Sequence, residues 1–125
     1  MGVNLLPDVY ERAADLIKSR GHAKGDYVDE NGCVCALGAL GVALGVEFIR
    51  ETGTEVTIPK TLTSEYTYYG EYLQDYFACE FEGRNGWEIV PDFNDADDTK
   101  PEDVENLLRS CAQDLREEYE SWHKA

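Results

Sequence analysis

The hydrophobic pattern is organised around one run. Residues 33–46 read Cys-Val-Cys-Ala-Leu-Gly-Ala-Leu-Gly-Val-Ala-Leu-Gly-Val, without a charge or a strongly polar side chain. A bilayer span needs about 20 apolar residues, so the run is too short to cross one and predicts a buried core helix over about 34–45. Gly38, Gly41 and Gly45 recur on its surface and would let neighbouring backbones approach closely.

Amphipathic segments surround this run. Leu6, Val9, Ala13, Leu16 and Ile17 form an apolar stripe for a helix over 7–20, with Asn4 as a candidate cap, Pro7 and Asp8 in the first turn and Gly21 as the stop. Residues 21–32 form a polar connection. Its Asn31-Gly32 pair predicts a short hairpin that sets Tyr27-Val28 against Cys33-Val34. Residues 46–50 extend the core helix after a kink or form a separate turn, and Val56-Thr57-Ile58 is a short extended piece before Pro59. In 61–81, Leu62, Tyr66, Tyr69, Leu73, Tyr76 and Phe77 follow helical spacing as a buried face, with Tyr68 and Tyr72 on another side. Residues 82–90 read as a glycine-containing loop, with 87–90 a short strand or a segment packed on the core. The final helix is the clearest. Thr99 and Glu102 make a capping box, Pro101 suits the first turn, and Val104, Leu107, Leu108, Cys111, Ala112, Leu115, Tyr119 and Trp122 give a long stripe.

These elements predict a mainly α single globular domain over residues 1–125: a compact bundle of about four helices around the central Gly/Ala-rich helix, with one short β-hairpin. A chain of 125 residues buries a core of its own.

Charge changes the picture. Lys and Arg number 11 against 26 Asp and Glu, a net charge of −15. Residues 1–26 are balanced, whereas 71–120 hold 16 acids against 4 bases, a net of −12. Such a half repels nucleic acid and anionic membranes and suits a basic protein partner or a divalent cation; it also serves solubility alone.

Residues 1–6 show no basic segment followed by a long apolar stretch, which argues against a secretory leader. Cys35 and Cys111 fall at apolar positions. Reduced thiols in a cytoplasm are therefore expected rather than a disulfide framework. Cys33-Val34-Cys35 has one intervening residue, and His22 and His123 lie in no ligand spacing, so zinc is not expected.

The segment before the last helix carries Asp92, Asn94, Asp95, Asp97 and Asp98, oxygen ligands that invite a calcium or magnesium reading. Counted from Asp92, the calcium-loop pattern fails: Ala96 stands fifth, Asp97 replaces the glycine at the sixth position, and Asp103 replaces the final glutamate. The simpler reading has Asn94 and Asp95 holding a turn by side-chain to backbone bonds and the later acids complementing a helix N-terminus. No metal and no cofactor is expected.

Two local patterns resemble one family. They are Cys35-Ala36-Leu37-Gly38-Ala39-Leu40 on a buried helix, and Phe93-Asn94-Asp95 followed by Thr99 and by 102–104 opening the last helix. With the opening helix and Gly21, they resemble the small proteins grouped as domain of unknown function 6197, found in actinobacteria and their phages. The resemblance covers most of the chain. Phe93 stands where the family typically has tryptophan, and 61–86 matches in general character. What the resemblance implies is a shared fold and an actinobacterial or phage origin. It brings no established activity and identifies no catalytic residue.

The expected function is a small acidic non-enzymatic interaction module, such as a phage accessory protein that binds the basic surface of a host protein. Its binding residues would be Tyr68, Tyr72, Trp87, Asp92, Asn94, Asp95, Asp97 and Asp98. Neither nucleic acid nor membrane is an expected partner. One alternative is a thiol enzyme using Cys33 or Cys35, with His22 or His123 as base and Asn94 or Asp95 orienting it. Another is a small-ligand pocket lined by Tyr66, Tyr69, Trp87 and Phe93. Gly38, Gly41 and Gly45 lie in an apolar run with no lysine nearby, which excludes a phosphate-cradling loop.

Overall fold

A computed structural model describes residues 5–50, 53, 56–80 and 89–123, and the side chains among them except at 79–80, 89 and 121–123. The elements run α1 (Pro7–Arg20), α2 (Ala36–Ala43), β1 (Phe48–Arg50), β2 (Thr57–Pro59), α3 (Ser64–Glu80), α4 (Ile89–Asp95) and α5 (Pro101–His123). The fold is mainly α, with one short antiparallel hairpin among the described residues.

The apolar run forms the centre, as its composition demands. Helix α2 contacts each of the other four helices. Cys35 caps it, its Sγ accepting from the Gly38 N–H at 3.2 Å. Its end is a Schellman turn: Gly45, at φ +81°, donates to the Val42 carbonyl and Val46 donates to that of Gly41. Two of the three glycines admit close neighbours. A Cβ on Gly38 would stand 1.9 Å from the Tyr27 carbonyl oxygen, and one on Gly41 would stand 2.5 Å from the Phe48 ring. Gly45 instead serves the turn.

Helix α1 packs most extensively on α5, and next on α2. Its core face is Val9, Tyr10, Ala13, Ala14 and Ile17, while Leu6 is 57% exposed. Leu6 is the N-cap residue, outside the helix proper, and its N–H donates to Tyr69 Oη at 2.8 Å. The candidate cap Asn4 lies outside the described residues. Tyr10 takes the core place because its hydroxyl has a partner, donating to the Tyr69 carbonyl at 2.7 Å. In α3, Tyr66, Tyr69, Leu73 and Phe77 are buried; Tyr76 is half-buried, and Leu62, which precedes the helix, is 67% exposed.

The hairpin lies elsewhere than expected. Phe48 pairs with Pro59, Ile49 with Ile58 and Arg50 with Thr57. Around Asn31-Gly32 the chain does turn back, but pairing there is a single antiparallel bridge, Val28 to Val34. Val34 bridges His22 on its other side, so this segment serves as a seam between loops rather than a two-stranded arm.

Two further elements depart from the sequence reading. Residues 89–95 form α4 rather than a strand and loop. Pro91 falls in its first turn, where a missing N–H costs nothing. At α5 the capping interaction is shifted by one residue: Asp103 Oδ2 accepts from the Lys100 N–H at 2.9 Å, while Glu102 is exposed. Pro101 is the first helical residue. The stripe of α5 is buried from Val104 to Ala112, half-buried at Leu115 and exposed at Tyr119. The side chain of Trp122 lies outside the described residues.

Candidate functional site

The Phe93-Asn94-Asp95 segment closes α4 against three other parts of the chain. Asn94 is 1% exposed, and every polar atom of its amide is engaged. Its Oδ1 accepts from the Ala36 N–H at 3.0 Å and faces His22 Nε2 at 2.8 Å. Its Nδ2 donates to the Ala23 carbonyl and to Asp95 Oδ1, both at 2.9 Å. Since Oδ1 is an acceptor, His22 donates from Nε2. Asp95 Oδ1 also accepts from the Gly25 N–H at 2.9 Å, and Lys24 Nζ donates to the Ala96 carbonyl. The side-chain to backbone bonds expected here exist, but they reach across the fold to the 21–25 loop and the start of α2.

Beside this corner lies a cavity of about 240 Å³ between α2, α4 and the hairpin. Its walls include Tyr27, Leu37, Val56, Ile58 and Val90, with Cys35, Asn94, Asp95 and Asp26 at their edges. The polar groups are already committed. Asp26 Oδ1 accepts from the Thr57 hydroxyl at 2.6 Å and the Thr57 N–H at 2.8 Å, and Oδ2 pairs with Arg50 at 3.3 Å. Burial alone would raise this carboxyl, but the Thr57 bonds and the Arg50 charge hold it below its usual value.

A larger cleft of about 480 Å³ lies on the other side of Tyr27, Leu37 and Pro91, between α3 and α4. Tyr66, Gly70 and Gln74 of α3 line it, with Glu71, Asp92 and the exposed Leu62. Tyr66 Oη donates to the Leu37 carbonyl at 2.6 Å. Gln74 is 8% exposed, and among the described residues its Oε1 is a buried side-chain oxygen without a hydrogen-bond partner.

The expected binding residues separate into groups. Asp92, Asn94 and Asp95 share α4, with Asn94 buried and both acids exposed. Asp97 and Asp98 are exposed in the turn that follows. Tyr68 is 48% exposed on α3. Tyr72 is committed to α5: its hydroxyl lies 2.8 Å from Asp114 Oδ2 and 3.0 Å from Glu118 Oε2, and burial together with these carboxylates raises its phenol. Trp87 lies outside the described residues. Of Tyr66, Tyr69 and Phe93, only Tyr66 lines either of the two cavities described above. Tyr66 lines the larger cleft, Tyr69 meets Tyr10 with ring centroids 5.4 Å apart, and Phe93 packs on Phe77 at 5.0 Å. Sequence reasoning missed Tyr27, Asp26, Thr57 and Gln74, each of which looks like an ordinary loop or helix position until the chain is folded.

The thiols are unbridged at Cys33, Cys35 and Cys111. Burial pushes the Cys35 thiol up to about 11, and raises that of buried Cys111 further. Burial outweighs the Gly38 N–H that would favour a Cys35 thiolate, and His22 is held by Asn94, so neither is disposed as an activated thiolate or its base. His123 has its side chain outside the described residues. Among the described residues, no group of three or more His, Cys, Asp or Glu converges on a possible metal position. No described helix is long and apolar enough to cross a membrane.

Neither the curated proteins nor the solved structures contain a match to this chain. One family model does match, over residues 1–114, and the chain belongs to that family: Family of unknown function (DUF6197).

Proposed function

We propose that the protein is a non-enzymatic module that binds a basic protein partner through its acidic C-terminal half. One observation carries this reading. Both arginines of α5 are turned to α1: Arg109 pairs with Glu11 and Asp15 at 2.8 Å and with Glu105 at 2.9 Å, and Arg116 pairs with Glu11 at 3.0 Å and Asp8 at 3.3 Å. The positive charge of that helix is therefore spent inside the molecule. Exposed Glu102, Asp103, Glu117 and Glu120 stand on α5, with Asp92, Asp95, Asp97 and Asp98 before it. A surface of one sign accelerates encounter with the opposite sign and disfavours nucleic acid. The family's actinobacterial and phage setting, implied by the resemblance, makes a host protein the partner to seek.

The test is capture from a nuclease-treated actinobacterial lysate on immobilised wild-type protein and on a variant carrying Glu102→Gln, Asp103→Asn, Glu117→Gln and Glu120→Gln. These side chains are exposed, and asparagine at 103 keeps an amide oxygen to accept from the Lys100 N–H that caps α5, so the variant keeps the fold. One near-stoichiometric basic protein on the wild type, reduced on the variant, is the expected result. Its absence from the wild type, or equal capture on both, overturns the reading.

A further inference from the structure

We infer that the cavity of about 240 Å³ between α2, α4 and the hairpin is a binding site for a small neutral molecule built on a single aromatic ring. The inference goes beyond the partner reading and stands apart from it. Three observations carry it.

The first is size. Protein interiors pack closely, and voids larger than a water molecule are few. An apolar cavity engineered at about 150 Å³ stays dry and takes benzene. The present space exceeds that. Its walls come from separate elements: Leu37 of α2, Val90 and Pro91 of α4, Ile58 of β2, and Tyr27 from the loop between α1 and α2.

The second is chemistry. These walls are aliphatic or aromatic and reward apolar surface taken from water. The polar side chains at the edges are engaged within the fold. Asn94 uses both atoms of its amide, on Ala36, His22, Ala23 and Asp95. The Thr57 hydroxyl donates to Asp26 at 2.6 Å and accepts from the Val28 N–H at 3.1 Å. Asp26 also holds Arg50, and Asp95 Oδ1 holds the Gly25 N–H. A strongly polar ligand would give up its water here for groups that already have partners. The two carboxylates repel an anion, and an ammonium must compete with Arg50 and with the Gly25 and Asn94 donors. A neutral apolar ring meets neither obstacle.

The third is convergence. The two patterns by which the chain resembles its family, 35–40 and 93–95, meet at this space. Cys35, Ala36 and Leu37 line it from one pattern, Asn94 and Asp95 from the other. The bond from the Ala36 N–H to Asn94 Oδ1 joins the two across 58 positions. That bond sets the spacing between the α2 and α4 walls, so the same contact that holds the corner also holds the cavity open.

The experiment is a methyl-correlation NMR titration of the full chain with toluene, beside benzoate and benzylamine, which carry the same ring with a charge of either sign. Saturable toluene shifts are expected at the methyls of Leu37, Ile58 and Val90, with both charged probes weaker by about tenfold or more. Toluene should also raise the thermal unfolding midpoint of the wild type, since it binds the folded chain. Ile58→Phe, at a half-buried position of the hairpin, puts a ring of the chain's own into the space. It should keep a native spectrum and lose the saturable shifts at Leu37 and Val90. Val90→Ile adds one methylene to the opposite wall; it is the milder second variant and should weaken toluene binding while keeping the fold. No saturable shift on the wild type, shifts spread equally over the core methyls of α1 and α5, binding unchanged in both variants, or benzylamine held more tightly than toluene overturns the inference.

Discussion

Asn94 Oδ1 accepts a hydrogen bond from the Ala36 N–H at 3.0 Å, joining α4 to the first residue of α2. The same amide holds the Ala23 carbonyl and His22. One buried side chain therefore fixes the 21–25 loop, the start of the central helix and the end of α4 to one another. Asn94→Ala strands the Ala36 N–H and the Ala23 carbonyl, with His22 losing its acceptor. The expected loss is about 2–4 kcal/mol, since each stranded buried group costs about 1–3 kcal/mol. Urea denaturation measures it, and a loss below about 0.5 kcal/mol, the scale of an ordinary surface change, would contradict this role.

Gly38→Ala tests the close approach of the Tyr27 loop to α2. Helix propensity alone favours alanine by about 1 kcal/mol. Against it, the new methyl would stand 1.9 Å from a backbone oxygen, which has no rotamer to escape into. The variant is expected to be destabilised by about 2 kcal/mol or more, by analogy with overpacking. A neutral or stabilising effect in thermal unfolding would mean that this loop yields.

Asp26 gives a pH dependence. Its carboxyl titrates below its value in the unfolded chain, so it contributes stability above the unfolded pKa of about 3.9, and that contribution disappears as pH falls through the folded value. The advantage of wild type over Asp26→Asn should be level at neutral pH and shrink below about pH 4. Comparing the two chains cancels the general relief of repulsion that acid brings to a molecule of net charge −15. An advantage that grows on acidification would reverse the assignment.

Cys35 should react slowly. With its thiol pushed up to about 11, because burial outweighs the Gly38 N–H donated to the sulfur, the thiolate fraction at neutral pH lies far below that of a free cysteine. Timed iodoacetamide labelling read by mass spectrometry should show Cys35 and Cys111 modified more slowly in the folded protein than a small free thiol. Faster labelling of Cys35 would point to a thiol enzyme instead.

The central helix was legible because a chargeless run within so acidic a chain has nowhere to go but the core. The stripes of α1, α3 and α5 were legible through their period, though not which of Leu6 and Tyr10 enters the core; that depends on Tyr69, 59 positions away, offering a carbonyl. Helix α4 was hidden because its seven residues are too few for a periodic signal and include Pro91, Asn94 and two aspartates, which favour turns in isolation. Three-residue strands gave no alternation to read. Asn94 stood out as a polar corner residue, but its partners at Ala23 and Ala36 are set only by the fold. Gln74 carried no signal at all, since its meaning comes from a missing partner.

The central claim, that the acidic half binds a basic protein, is tested most directly by the affinity of the captured partner measured from low to physiological ionic strength. The account predicts that the affinity of the wild-type chain falls steeply as salt rises, and that the variant neutralised at Glu102, Asp103, Glu117 and Glu120 starts weaker and falls less. An affinity indifferent to salt and equal in the two chains would contradict it.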